Sequence, residues 1–266
     1  MERREFLRSA LAGSALLTSS QIPLRGAQIA EDHTSEFYLL RRYRLATGPQ
    51  RKWCDEFFRD ALIPAANRMG IKPVGVFTVM IGPETPTIYI LMPSRSLETL
   101  VDIEARLLDD TEYLKSGTAF LNASALQPSF DGLEVSLMRA FPHMPWLRLP
   151  NATATHSSRL FELRTYHSRS QAEHSRKVEM IDTAEIELET RTGLGPVFYG
   201  DTLIGPHMPN LVYLLSFESL AARERGFAAF GALPEWKALT SDPRYPNEIV
   251  ADTTNVILTP AAYSQI

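Results

Sequence analysis

The sequence predicts an α+β protein made of two tandem ferredoxin-like repeats, each with the element order β-α-β-β-α-β. The first observation is an internal repeat. A shift of 123 positions aligns residues 36–113 with residues 159–236 without a gap and gives 19 identities in 78 positions. The second observation is that strand-like and helix-like hydrophobic periods follow in the same order in both copies. A repeat of this length is a whole small domain rather than a solenoid unit.

The identities between the two copies concentrate in a few short segments. Leu40-Arg41-Arg42-Tyr43 aligns with Leu163-Arg164-Thr165-Tyr166, and Ile81-Gly82-Pro83 aligns with Ile204-Gly205-Pro206. We therefore divide the chain into a leader (1–33), a first half (34–141), a proline-containing linker (142–158) and a second half (159–266).

The local signals support this element order in each half. Gly70 and Gly193 stand where a helix end favours positive φ, and Ser96 and Ser219 stand where an N-cap is expected. The Gly-Pro-x-x-Pro segments predict hairpin turns, and Pro64 predicts a bend in the first helix. The predicted strands are 37–45, 73–81, 87–92, 133–138, 160–167, 196–204, 211–217 and 255–258, and the predicted first helices of the two halves are 50–69 and 170–192.

The first twenty residues predict an export signal. Arg3-Arg4-Glu5-Phe6-Leu7-Arg8 is similar to the twin-arginine motif, and an uncharged stretch from Ser9 to Ser20 follows it. This stretch is too short for a stable transmembrane anchor. We expect a periplasmic or extracytoplasmic protein; the alternative is a fraying amphipathic helix.

Composition excludes several classes of function. The net charge of −4 gives no broad basic surface, so nucleic acid is not an expected partner. The single cysteine, Cys54, cannot form an intramolecular disulfide and lies on an apolar helical stripe, which indicates buried packing. Phosphate-binding loops, nucleophile elbows and metal-ligand spacings do not occur, so the sequence predicts neither a metal nor a cofactor.

The second half resembles a NIPSNAP domain. Its segment 160–166 (Leu-Phe-Glu-Leu-Arg-Thr-Tyr) is similar to the opening strand of that family, and 193–199 (Gly-Leu-Gly-Pro-Val-Phe-Tyr) and 210–214 (Asn-Leu-Val-Tyr-Leu) are similar to its next strands. Glu235-Trp236 is similar to a Glu-Trp pair of the family. The first half resembles a degenerate copy, since Thr87, Val76 and Tyr113 stand where the second half has Asn210, Tyr199 and Trp236.

This resemblance implies a dimeric α/β barrel, formed here within one chain. Two four-stranded sheets are expected to face each other, with helices on their outer faces and a cavity between them. The resemblance implies no single reaction, because this superfamily includes cofactor-independent oxygenases, haem enzymes and proteins without known activity.

Strand alternation supplies the candidate site residues. Arg164 and Tyr166 share one strand face, as do Arg41 and Tyr43 in the first half, and we expect this polar face to line the cavity. The arginines would bind an anion, Tyr166 would donate a hydrogen bond, and His167 would act as general base. Further expected ligand contacts are Tyr199, Asp201 and Tyr213.

Two interpretations stay open for the arginines and for the whole protein. Buried arginines commonly pair inside the protein, so the alternative to ligand binding is an internal ion pair of Arg164 with Glu162 or Asp201 and of Arg41 with a glutamate. The favoured function is binding, with or without metal-free transformation, of a small, partly apolar anionic or phenolic molecule. The alternative is a non-catalytic scaffold that uses its outer helices. Haem binding is a weaker idea, and a homo-oligomer is compatible with the sequence.

Overall fold

The structure, a computed structural model, describes residues 35–155 and 157–266. The predicted export signal lies outside the described residues. Within the described ranges, no helix is both long enough and apolar enough to cross a membrane.

The strands of the described residues close into one antiparallel barrel, in the order β1-β3-β2-β8-β5-β7-β6-β4 around its circumference. Each half contributes four adjacent strands, and the pairs β2–β8 and β4–β6 join the halves. The α+β class is therefore confirmed, with a closed eight-stranded barrel. The strands are β1 (Phe37–Arg44), β2 (Gly75–Ile81), β3 (Thr87–Ser94), β4 (Gly132–Ala140), β5 (Leu160–His167), β6 (Gly195–Ile204), β7 (Asn210–Phe217) and β8 (Asp252–Pro260).

The helices pack on the outer faces of the strands. In the first half they are α1 (Gln50–Phe57), α2 (Ile63–Arg68), α3 (Leu97–Val101), α4 (Ile103–Leu108), α5 (Thr111–Ser116) and α6 (Thr118–Leu121). The linker contains α7 (Asn151–Ala154). In the second half they are α8 (Gln171–Met180), α9 (Ile186–Arg191), α10 (Leu220–Ala232) and α11 (Pro234–Thr240), followed by a 3-10 turn at Asn247–Ile249.

The predicted local signals are found where the sequence places them. Ser96 Oγ accepts a hydrogen bond from Thr99 N, and Ser219 Oγ accepts one from Ala222 N, both at 3.1 Å. Gly70 and Gly193 adopt φ values of 80° and 79° after their helices. These caps fix the ends of the helices that cover the sheet.

The long helix of each half differs from its prediction in one respect. A π-helical turn, Phe58–Leu62, separates α1 from α2, and Pro64 lies in the first turn of α2, where its missing N–H costs little. The second half has a π-helical turn at Ile181–Glu185, 123 residues later. The distortion therefore belongs to the repeat and does not depend on proline.

The middle of the barrel interior is filled by side chains, and of the predicted cavity between two sheets only a smaller space remains at one end. The large apolar side chains of the interior, including Tyr38, Phe77, Phe161 and Phe198, are at most 1% exposed. The rings of Phe77 and Phe161 lie 4.9 Å apart. Eight strands enclose an interior that side chains alone can fill, and in this protein they fill most of it.

The faces of β1 and β5 also point opposite to the prediction. Phe161 and Leu163 project into the barrel, whereas Glu162, Arg164 and Tyr166 project toward the helices. In β1, Tyr38 and Leu40 project inward, and Leu39 and Tyr43 pack under the first-half helices with Arg41 on the same strand face. Any site built on the polar face must therefore lie between sheet and helices.

Candidate functional site

Three predicted residues, Arg164, Tyr166 and Tyr213, meet on the helix side of the second-half sheet. Arg164 and Tyr213 are paired across β5 and β7, and Tyr166 lies two residues along β5 on the same face. All three line one cavity between this sheet and helices α8 to α11. This space is called the second-half cavity below.

The guanidinium of Arg164 is held by protein groups on all three nitrogens. Nε donates to Tyr213 Oη at 2.8 Å, Nη2 donates to Tyr166 Oη at 2.9 Å, and Nη1 donates to Glu162 Oε1 at 2.7 Å. Burial alone would lower the pKa of Arg164, but Tyr213, Tyr166 and Glu162 raise it overall. Arg164 is therefore a paired cation, as the alternative interpretation proposed, and it is not a free anion clamp.

The two tyrosine hydroxyls leave one hydrogen without an acceptor among the described residues. Tyr213 Oη donates to Tyr166 Oη at 2.8 Å, and each oxygen also accepts from Arg164. Tyr213 is 1% exposed and Tyr166 is half-buried at the cavity wall. The O–H of Tyr166 is thus available to a molecule in the cavity, and the guanidinium bond polarises it.

Glu162 is the buried counter-ion of the site. It is 0% exposed and accepts from Arg164 and also from Arg223 of α10, whose Nε and Nη2 lie 2.5 and 2.9 Å from its two oxygens. Arg223 makes a second pair with the exposed Glu224 at 2.6 Å. One carboxylate therefore fixes two arginines from different elements.

The second-half cavity has a volume of about 440 Å³. It falls in the range of roughly 300 to 1,000 Å³ that small-molecule sites occupy. Its walls are largely aromatic and include Tyr166, Tyr213, Phe227, Phe230, Trp236 and Tyr245. The segment between α11 and β8 completes the wall through Pro246, Ile249 and Val250.

Charged residues of the long helix form the remaining wall. Lys177 Nζ donates to Glu185 Oε2 at 2.8 Å, and both side chains are less than 8% exposed. Glu189, 1% exposed, accepts a hydrogen bond from Tyr199. Burial, and then the neighbouring Glu185, raises the pKa of Glu189 well above its usual range. This shift favours the protonated carboxyl, which can donate a hydrogen bond.

Sequence reasoning missed Lys177, Glu185 and Glu189, although the repeat contains a signal for them. At the 123-residue shift they align with Cys54, Leu62 and Ala66, which belong to the buried apolar stripe of the first helix. Charged residues that replace a buried stripe in one copy alone indicate a polar site under that helix.

Among the described residues of the first half no equivalent polar site is found, and the predicted contacts Arg41 and Tyr43 lie in packed core. Arg41 is 4% exposed and pairs with Glu104 at 2.5 Å, and Tyr43 is 3% exposed against Phe58 and Phe130. Burial raises the pKa of Tyr43. The prediction that Arg41 binds a ligand in the barrel cavity is therefore wrong, because Arg41 lies on the helix-facing side of β1 and its guanidinium already has a carboxylate partner.

A single size difference helps to explain why the space beside Tyr166 is open while the matching space beside Tyr43 is packed. Asp131 N donates to Arg44 O, and Ala251 N donates to His167 O at the matching point of the repeat. Phe130 and Val250, the residues just before these donors, therefore occupy equivalent places. The Phe130 ring covers Tyr43 at 5.2 Å, whereas the smaller Val250 leaves space beside Tyr166.

His167 does not share a site with Tyr166, contrary to the prediction of a common catalytic pair. Successive side chains of a strand point to opposite faces, so His167 lies at one end of the barrel interior. Its Nδ1 contacts the carbonyl oxygen of His207 at 3.1 Å. A role as general base for a ligand held by Tyr166 is excluded by this geometry.

Tyr199 and Asp201 lie on the helix side, beside the cavity. The Tyr199 ring stacks on Tyr213 with a centroid distance of 4.9 Å, and Tyr199 is fully buried. Asp201 Oδ1 contacts His174 Nε2 of α8 at 2.6 Å. Both residues therefore support the wall. Among the described residues, no group of three or more His, Cys, Asp or Glu side chains is placed to hold a metal ion.

Comparisons with solved structures agree with this architecture. A candidate monooxygenase from Lactobacillus acidophilus aligns with a TM-score of 0.54 and 7% identity, covering 85% of this chain and 94% of that chain. A second candidate monooxygenase, from Fusobacterium nucleatum, aligns with a TM-score of 0.52 and 8% identity, over 85% and 92% of the two chains. At these identities the likeness establishes the fold alone.

A NIPSNAP-like domain protein from Burkholderia xenovorans is 25% identical over 41% of this chain and 90% of its own, with a TM-score of 0.37. A search of curated proteins found no match. The NIPSNAP family model matches residues 38–124 and 161–265, which lie in the first and second halves. With both halves matched, this chain belongs to the NIPSNAP family.

Proposed function

We propose that this protein binds a small, partly apolar phenol in the second-half cavity. The observation that carries the proposal is the unpaired O–H of the Tyr166–Tyr213 pair, which faces an aromatic space of about 440 Å³. A phenol oxygen would accept this hydrogen, and its ring would pack against Phe227, Phe230 and Trp236. Binding, rather than a defined reaction, is the function that these contacts support.

The charges of the cavity favour a neutral phenol over a free anion. Lys177 is neutralised by Glu185, and Arg164 and Arg223 share Glu162, with Glu224 as a second partner for Arg223. These groups pair three cations with three carboxylates, and the raised pKa of Glu189 favours its neutral form. An added anion would have to compete with carboxylates already bound to the cations.

The contrast between the halves makes this site specific to the second half. Positions equivalent to Tyr213, Glu185 and Glu189 carry Ile90, Leu62 and Ala66, which are packed in the first-half core. Burying polar and charged side chains in a core lowers the stability of the fold, and the first half shows that the fold does not require them. A ligand gives a reason for keeping them in the second half.

The experiment uses 1-naphthol and naphthalene, which differ by one hydroxyl, in equilibrium dialysis against the purified protein. We expect saturable binding of 1-naphthol, tighter than binding of naphthalene. Val250→Phe should reduce binding of both at least about tenfold, because it fills the space as Phe130 does in the first half. Val101→Phe is the matched control, since Val101 is 63% exposed on α3.

Equal binding of 1-naphthol by wild type and Val250→Phe would contradict the proposal. A folded Val250→Phe protein is verified by its circular dichroism and by a melting temperature near that of the wild type. If Val250→Phe fails to fold, Gly231→Leu in the wall formed by α10 provides the same test, because a Cβ at Gly231 would meet no atom within 4 Å.

We also propose that the leader directs export by the twin-arginine route and that the mature protein is periplasmic or extracytoplasmic. Arg3-Arg4 followed by Phe6-Leu7 supports this address. For the architecture we propose tandem ferredoxin-like copies that form an intrachain dimeric α/β barrel. The strand orders β4-β1-β3-β2 and β8-β5-β7-β6 support it, since each half places its own strands in the order fourth, first, third, second.

A further inference from the structure

The inward-facing residues of the barrel change from apolar to polar toward one end. On β5 the inward series is Phe161, Leu163, Thr165 and His167. On β8, Leu258 and Val256 are followed by Thr254, and on β4, Met138 is followed by Ser136. On β1, Tyr38 and Leu40 are followed by Arg42. Four strands from both halves thus carry polar side chains at the same end of the barrel interior.

This polar end opens into a second cavity of about 250 Å³, called the barrel mouth. Pro83 and Pro206, from the two repeated Ile-Gly-Pro turns, both line it. The most similar tripeptides of the two halves therefore meet at one rim. Thr165 and His167 line the barrel mouth, whereas Arg164 and Tyr166 line the second-half cavity, so one strand separates the two spaces.

Several hydrogen-bonding groups at the barrel mouth have no protein partner within the described ranges. The hydroxyls of Ser136, Thr165 and Thr254 make no hydrogen bond to another described residue, although all three are half-buried. Arg42 Nε is buried without a partner. His167 uses only Nδ1, which leaves its Nε2 available. Half-buried polar groups of this kind need water or a ligand.

The charges at the barrel mouth are already paired. Arg42 donates to Glu134 at 2.9 Å and also to Glu84. Both glutamates are almost half exposed, and they outnumber the single guanidinium. An anion would therefore meet excess negative charge, and a hydrocarbon would leave three hydroxyls and one guanidinium N–H unpaired.

We propose that the barrel mouth binds a small neutral molecule with several hydroxyl groups, of monosaccharide or cyclitol size. Its hydroxyls exchange hydrogen bonds with Ser136, Thr165 and Thr254 and accept one from the guanidinium of Arg42. Its C–H surface rests on the apolar floor formed by Leu163 and Val256. A volume of about 250 Å³ suits a ligand with a single ring. This site is independent of the phenol site in position and chemistry.

The test is a titration of the full chain with myo-inositol and with cyclohexanol, followed in ¹H–¹⁵N correlation spectra. The two probes share one ring and differ in hydroxyl number. We expect saturable shifts of the backbone amides of Ser136, Thr165, Thr254 and His207 with myo-inositol, and at least about tenfold weaker binding of cyclohexanol.

The variant Thr165→Val/Thr254→Val removes two hydroxyls while keeping side-chain shape and strand preference. We expect it to bind myo-inositol roughly tenfold more weakly. Thr259→Val on the same strand β8 is the control, because Thr259 lies away from the barrel mouth. Absence of saturable shifts with both myo-inositol and D-glucose overturns the proposal. Undiminished binding by the double variant overturns it as well.

Discussion

Tyr166 and Tyr213 share one hydroxyl–hydroxyl hydrogen bond of 2.8 Å, and Arg164 donates to both oxygens. Two arginine N–H groups and two tyrosine O–H groups make only three hydrogen bonds among themselves, so one O–H has no protein partner in the described structure. Because Tyr213 is fully packed, with a pKa that burial raises well above its usual range, the free hydrogen belongs to the cavity side at Tyr166.

The first prediction separates the two tyrosines. Tyr166→Phe should abolish the preference for 1-naphthol over naphthalene, since the hydroxyl that distinguishes the probes is lost. Tyr213→Phe should retain that preference, while both variants lose about 1–3 kcal/mol of stability because an arginine N–H loses its acceptor. Equilibrium dialysis and urea melts measure the two effects. The same preference in wild type and Tyr166→Phe would assign hydroxyl recognition to another residue.

The second prediction concerns the shared counter-ion. Glu162→Gln should lower the free energy of unfolding by about 3–5 kcal/mol, because Arg164 stays buried without a carboxylate. Glu224→Gln, which removes the other partner of Arg223, should cost about 0–1 kcal/mol because Glu224 is 74% exposed. Urea denaturation of both variants provides the comparison. Equal losses of unfolding free energy in the two variants would show that the ion pairs of Glu162 do not stabilise the fold.

The element order and most strand bounds could be predicted from the sequence because each local signal occurs twice, once in each copy of the repeat. The strand predicted at 160–167 is Leu160–His167, and those predicted at 73–81 and 87–92 are Gly75–Ile81 and Thr87–Ser94. The last strand of the second half was predicted too short, at 255–258 instead of Asp252–Pro260. Its polar residues Thr253 and Thr254 lack the apolar alternation on which strand prediction depends.

The orientation of the strand faces could not be predicted. Alternation identifies which residues share a face, but in this barrel both faces of β1 and β5 are covered, one by the interior and one by helices. Phe161 and Leu163 fit under helices as well as inside a barrel. Only the closure of the barrel by the β2–β8 and β4–β6 pairs decides which face turns inward, so that Phe161 and Leu163 fill the interior and the Glu162–Arg164 ion pair lies on the helix side.

The third prediction tests the proposed export signal. Arg3→Lys/Arg4→Lys should hold the protein in the cytoplasm, because the twin-arginine receptor reads the guanidinium pair and not charge alone. Fractionation and immunoblotting of the wild type and the double variant measure the distribution. Arg8→Lys, which keeps the pair intact, is the control. Unchanged export of the double variant would show that the leader uses another route.

The fourth prediction follows from the raised pKa of Glu189. A carboxyl whose pKa is higher in the folded state binds more protons there than in the unfolded chain at every pH between the two pKa values. Stability therefore falls as pH rises from about 4.5 toward the folded pKa, by at most about 1.4 kcal/mol for each pH unit.

Glu189→Gln removes this titration and keeps the side-chain shape and the acceptor for Tyr199. We expect the variant to match the wild type near pH 4.5 and to exceed its free energy of unfolding at pH 7, so that the difference between the proteins grows with pH. Glu187→Gln on the same helix is the control, because Glu187 is 78% exposed and should leave the curve of stability against pH unchanged. Urea melts at half-unit intervals from pH 4.5 to 8 measure the three curves. Parallel curves for wild type and Glu189→Gln would mean that Glu189 is ionised in the folded protein, and a neutral acid in the wall of the cavity would then be ruled out.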